Sequence, residues 1–218
     1  MHDLLARLLP LETSCLCDAK KTLRTLHWDI RPLVTGAKMV GRAFPIACCD
    51  DILHIVKALG DAAPGDVLMV DGQGGRKALV GELFTSEARR RGLAGIVVDG
   101  AVRDVQAIRA SGFPVYARGV SPVAGAANSP ASAVIPIVCG GVKVQPGDYV
   151  IGDDDGIVVA SEKELVEIVP IAEQIQRKEA EMLRRIEAGE SLRSMLNLQE
   201  HLDALGAGKR SQLRFLID

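Results

Sequence analysis

Arg103 and Asp104 form the adjacent pair with the most chemistry to offer in this 218-residue chain. The guanidinium of arginine is a planar fork that matches a carboxylate. An aspartate supplies the hard oxygen that magnesium and manganese favour. The pair follows Ile96-Val97-Val98-Asp99-Gly100, an apolar run read as a buried strand. In α/β sheets small ligands gather at the carboxyl ends of such strands. Gly100 is read as clearing space beside the pair. The residue types leave two plainer roles open, a surface ion pair and a helix cap at Asp104.

A second cluster is Gly81-Glu82-Leu83-Phe84, which opens a helix. The first turn of a helix carries free N–H groups and a partial positive charge, and so can hold a carboxylate. Gly81 permits close backbone approach. Glu82 could order a metal-bound water, or could simply be the acid that a first turn favours. Other patterns fail their tests. Gly72-Gln73-Gly74-Gly75 matches neither a dinucleotide fingerprint nor a P-loop, and reads as a flexible loop near the site. Asp153-Asp154-Asp155-Gly156 lacks the later ligands of a calcium loop and reads as a turn. His2, His27, His54 and His201 show no ligand spacing, and there is no GxSxG or HExxH element.

These residues need elements to position them. A helix is expected from Ser14 to Leu26, and a strand interrupted by proline over Gly41–Cys48. Asp50-Asp51 caps a helix that places Ile52, Ile55, Val56 and Leu59 on one face. Asp66–Asp71 and Ile96–Asp99 read as buried strands, and Phe113–Tyr116 starts another. Helices run from Gly81 to Arg91 and from Val105 to Ala110, stopped by Gly92 and Gly112. The alternation implies a partly parallel sheet with crossover helices. From Ile135 to Ala160 short strands follow without helices, which implies a β-rich layer on the α/β part. Ser161-Glu162-Lys163-Glu164 has capping-box form, opening a long helix to Glu187 with Pro170 inside it; Gly189 breaks it, and another helix and a tail follow.

Bulk composition narrows the function classes. A net charge of −2 and 3% aromatic residues give no electrostatic or stacking surface for nucleic acid. No apolar stretch reaches the roughly 20 residues of a membrane helix, and no secretory signal is visible. The five cysteines are odd in number and lack CxxC pairs. Buried free thiols are therefore favoured over zinc from Cys15, Cys17, Cys48 and Cys49, and a reducing cytoplasm is the expected compartment.

Taken in order, these stretches resemble the RraA-like family. The likeness runs from Pro64-Gly65-Asp66 through Gly81-Glu82-Leu83 to Asp99-Gly100-Ala101-Val102-Arg103-Asp104. It continues through Gly112–Gly119, Gly140–Asp148 and Asp153–Val159. The resemblance implies an α/β fold of the swivelling β/β/α type with C-terminal helices. It divides the chain into a family domain over 1–187 and a helical tail over 188–218. It implies a homotrimer, sometimes a hexamer, with sites at subunit interfaces. The implied activity is that of class II aldolases of 4-hydroxy-4-methyl-2-oxoglutarate and 4-carboxy-4-hydroxy-2-oxoadipate, which also decarboxylate oxaloacetate with magnesium or manganese. In that reading Asp104 binds the metal, Arg103 grips the 2-oxo acid, and Gly81, Glu82, Leu83 and Phe84 hold its carboxylate. Glu82 also orders metal-bound water, and Glu179 is the candidate for a glutamate given by a neighbouring subunit. Aldolase members commonly carry another acid just after the Arg-Asp pair, where this chain has Gln106 and Ala107. The family also contains inhibitors of ribonuclease E without aldolase activity, the alternative reading.

Overall fold

The computed structural model describes residues 2–129 and 134–216. The chain begins with helices α1 (His2–Leu8) and α2 (Thr13–Ala19), short strands β1 (Arg24–Thr25) and β2 (Arg31–Pro32), and the long β3 (Met39–Ala47). Then come α3 (Leu53–Asp61), β4 (Asp66–Asp71), β5 (Ala78–Val80), α4 (Glu82–Arg90), β6 (Gly95–Val102), α5 (Val105–Ser111) and β7 (Val115–Val120). The last part holds β8 (Ile137–Cys139), β9 (Val142–Val144), β10 (Tyr149–Gly152), β11 (Ile157–Ala160), α6 (Glu162–Glu187), a 3-10 turn (Leu192–Met195) and α7 (Leu198–Gly206).

One sheet runs in the order β1-β11-β10-β3-β4-β6-β7-β2, with β5 added beside β6. The β3-β4-β6-β7 centre is parallel, as the strand-helix alternation implies, and the flanks are antiparallel. Period-two alternation explains why the central strands are apolar throughout. In β4, Leu68 and Val70 face α3, α4 and α5, while Val67 and Met69 face the opposite side. There the β8–β9 hairpin lies over the sheet through Ile137, Cys139 and Val144. Next to the α3–α5 layer, α1, α2 and α6 cover Tyr149, Ile151, Val158 and Ala160.

Two expectations need correction. The helix expected over Ser14–Leu26 stops at Ala19, where Lys20 turns extended (φ −152°). Arg24 and Thr25 instead pair with Val159 and Val158, and Arg24 reaches Asp148, so sheet pairing and an ion pair override local helical spacing. The strands after Ile135 do not form a separate layer. β10 and β11 extend the main sheet, and among these strands the β8–β9 pair alone stands apart.

The capping box at Ser161 is present in both directions, and α6 runs through Pro170. Beyond it the tail folds on itself. The Asn197 side chain accepts from the Arg214 N–H and donates to the Gln212 carbonyl. Met195 packs on Met182 of α6. No helix among the described residues is long and apolar enough to cross a membrane.

Candidate functional site

β5 is the element that builds the site. It pairs in parallel with β6 through Ala78 and Val80, and the Arg103 N–H donates to the Val80 carbonyl at 2.9 Å. The exits of the two strands are thereby adjacent, so Gly81 and the start of α4 stand against Arg103 and Asp104. The ladder between β6 and β7 shifts register between Val98 and Ala101, a local irregularity of the kind common beside functional sites.

Asp104 occupies the left-handed region (φ 57°, ψ 37°). Such a residue costs roughly 1–2 kcal/mol, less for aspartate than for most, and is held by its surroundings. Its carbonyl accepts from Ile108, starting α5, but its side chain does not cap that helix. The carboxylate turns to α4. Asp104 Oδ2 accepts the Glu82 N–H at 3.1 Å and lies 3.5 Å from Arg103 Nε. The two plainer roles, ion pair and cap, are thus both present in altered form, the cap being on the neighbouring helix.

Gly81 is extended, so its dihedral angles do not demand glycine; space does. A Cβ there would sit 2.5 Å from Asp104 Oδ2 and 3.0 Å from Arg103 Cγ. The glycine that clears room for the pair is therefore Gly81. A Cβ on Gly100 would meet only ordinary contacts with Val98, Gly72 and Leu79.

A cavity of about 250 Å³ opens here, lined by Gly81, Leu83, Phe84, Arg103 and Asp104. This lies at the small end of ligand sites, as a compact metabolite requires. The structure brings those five expected residues together. Glu82 is exposed on the outer side of the first turn and does not line the cavity. The Gly72–Gly75 loop does not line it either. Helix geometry leaves the first-turn N–H groups of α4 without intrahelical acceptors.

The remaining wall was not foreseen. Ile52, Val56, Ala78, Leu79, Val80 and Ala124 complete it. Ile55 and Leu59 do enter the core as helical spacing implies, but Val56 is 49% exposed at the cavity. The loop carrying Ala124 is fixed by Asp51, a buried carboxylate accepting N–H groups from Leu53, Asn128 and Ser129. The Asn128 amide leads these bonds in pulling the Asp51 carboxyl down to about 2. The Asp50 carbonyl accepts from Ala126, and Gly125 and Ala78 are also bonded across the loop.

Other polar groups are committed elsewhere. Asp99 accepts from Arg118 and from the Gly140 N–H, both at 2.6 Å, clamping the β8–β9 hairpin. Glu179 accepts from the Cys15 thiol, and burial with this contact pushes that thiol up to about 11. Cys15, Cys48 and Cys139 are buried free thiols, whereas Cys17 is half-buried and Cys49 exposed. Among the described residues no group of three or more His, Cys, Asp and Glu side chains could hold a metal ion. Asp104 alone does fit magnesium or manganese: it is a hard oxygen, 40% exposed, and magnesium keeps several waters and needs only one or two carboxylates.

A sheet with a parallel centre and crossover helices, with an Arg-Asp pair facing a helix N-terminus, describes an α/β protein whose candidate site lies at the strand exits. The chain belongs to the RraA-like family, described as Aldolase/RraA, which matches residues 13–159. A protein of Halalkalibacterium halodurans, provisionally named 4-hydroxy-4-methyl-2-oxoglutarate aldolase, is 36% identical over 159 residues, covering 72% of this chain and 76% of the relative. The RNA-processing inhibitor RraA from Thermus thermophilis is 30% identical, with a TM-score of 0.65 over 69% of this chain and 93% of that one. An uncharacterised protein of Pseudomonas syringae shares the fold at a TM-score of 0.78 and 24% identity, covering 89% of this chain and 96% of that one.

Proposed function

We propose that this protein is a divalent-metal-dependent lyase. It cleaves or decarboxylates small 2-oxo acids such as 4-hydroxy-4-methyl-2-oxoglutarate, 4-carboxy-4-hydroxy-2-oxoadipate or oxaloacetate, and releases pyruvate. One observation carries the reading: the Asp104 carboxylate, the Arg103 guanidinium and the opening turn of α4 converge on one small cavity. The aldolase name of the relative from Halalkalibacterium halodurans supports it.

The chemistry asks for three things. Breaking the bond beyond C3 of a 2-oxo acid leaves an electron pair on the pyruvate fragment. A magnesium or manganese ion, held by Asp104, would supply Lewis-acid stabilisation of that charge. Arg103 holds the substrate carboxylate by its fork, and the first-turn N–H groups of α4 fix its orientation. Protons reach and leave the reacting atoms through water, and Glu82, exposed in the first turn of α4 between the lining residues Gly81 and Leu83, is the acid we assign to ordering it.

Val56 and Leu83 are exposed at the cavity mouth, with exposed Val123 beside the lining Ala124. Apolar surface of this kind beside a pocket marks a contact face. We place a neighbouring copy there, in a trimer or a pair of stacked trimers.

The relative named as an RNA-processing inhibitor supports a second reading, a binding protein that restrains ribonuclease E without metal chemistry. A lactate dehydrogenase-coupled assay with oxaloacetate separates the two. Pyruvate release with magnesium that stops on chelation supports the lyase. Equal rates with and without metal contradict it.

A further inference from the structure

We propose that the chain carries a second small-molecule site, which takes an α-amino acid with an apolar side chain. A cavity of about 350 Å³ opens at the exits of β3 and β4. That volume lies within the range of small-molecule sites. Among the described residues it shares no lining side chain with the cavity at Arg103 and Asp104. The two lie on opposite faces of the sheet. Leu79, Val80 and Phe84 of the first belong to the helix-side core, whereas Ala47 and Ile137 of the second belong to the hairpin side. The second site is independent of the lyase reading.

Its charges are arranged for a zwitterion. Asp71 ends β4, and period-two alternation puts it on the same face as Met69, toward the β8–β9 hairpin. Its register neighbour on β6 is Asp99, which Arg118 and the Gly140 N–H neutralise. Asp71 accepts only the Gln73 N–H, at 2.8 Å, and has no cationic partner among the described residues. Lys143 of β9 lines the same cavity, and its ammonium has no carboxylate partner among them either. Two opposite charges thus border one space without meeting. A ligand with an ammonium at one end and a carboxylate at the other gains a charge-assisted hydrogen bond at each. A plain anion would be opposed by Asp71, and a plain cation by Lys143. Gln73 and Gln145 add amides that both donate and accept. Gln73 is held in the left-handed region (φ 50°), a conformation unusual for glutamine and concentrated at functional sites. Ile135 and Val138, both exposed, form an apolar wall that a hydrocarbon side chain would cover.

The test is equilibrium dialysis of the full chain with radiolabelled L-leucine up to millimolar concentration. Two competitors each lack one charge: 4-methylpentanoate has no ammonium and 3-methylbutylamine no carboxylate. The expected result is leucine retention, with each competitor needing at least about tenfold more than unlabelled leucine to displace it, the scale of one hydrogen bond to a charged group. Asp71→Asn keeps an acceptor for the Gln73 N–H but loses the charge, and Lys143→Gln changes an exposed position. Each should weaken retention about tenfold with an unchanged circular dichroism spectrum, while Arg103→Ala should retain leucine as the native chain does. No retention by the native chain overturns the proposal. So do competitors as effective as leucine, or retention undiminished in either variant, since the ligand then does not bridge the two charges. Retention lost in Arg103→Ala but kept in Lys143→Gln puts the ligand in the first cavity and also overturns it.

Discussion

At the residue scale the account turns on close approach. Gly81 and Asp104 nearly touch, so Gly81→Ala should displace the carboxylate and lower pyruvate release by about 100-fold, the cost of a misplacement near 1 Å. A variant with native turnover would show that this contact does not matter. Asp104 is also a conformational choice. Asparagine tolerates the left-handed region better than alanine, so Asp104→Asn should be more stable than Asp104→Ala by about 1 kcal/mol in urea unfolding, with metal-dependent turnover lost in both. Arg103→Lys keeps the charge but not the fork, and should raise KM more than it lowers kcat. Much of this was legible beforehand. Arg103, Asp104 and Gly81 announce themselves by type and position. The role given to Gly100 was wrong because sequence neighbourhood is not spatial neighbourhood: the pair is cleared by a glycine 23 positions before Asp104, brought in by β5.

At the element scale, α3 and the loop that carries Ala124 behave as one wall because Asp51 ties them together. Its carboxyl is lowered in the folded chain, to about 2, against roughly 3.9 when unfolded. A group lowered in this way stabilises the fold above the unfolded value, and the contribution fades as pH falls from about 4 toward 2. Hydrogen exchange at Leu53, Asn128 and Ser129 should accelerate through that window in the native chain. In Asp51→Asn, which cannot titrate, the acceleration should be absent. Identical profiles would remove Asp51 as the tie. The apolar runs of β4 and β6, and α4 set between Gly81 and Gly92, were readable from sequence. The end of α2 was not, since Arg24 and Thr25 join β11 across the chain, a pairing no local pattern records. Helical spacing likewise grouped Val56 with Ile55, yet cannot tell a core face from a cavity wall.

On the scale of the whole molecule, the open cavity and its apolar mouth call for a neighbouring copy. Light scattering should show a trimer or a multiple of it, and Leu83→Lys should shift the population toward smaller species; monomer alone at every workable concentration would contradict this. The tail beyond Ala188 packs Met195 on Met182 and lies outside the family match. A chain ending at 187 should therefore still unfold cooperatively.

The most direct measurement of the central claim needs no knowledge of the natural substrate. Oxalate resembles the pyruvate enolate in shape and charge, and a site built for that species binds its mimic. Calorimetry should show oxalate binding with magnesium present, abolished by chelation and lost in Asp104→Ala. Oxalate that fails to bind with either magnesium or manganese, or that binds equally well to Asp104→Ala, would contradict the lyase site and favour the protein-binding role.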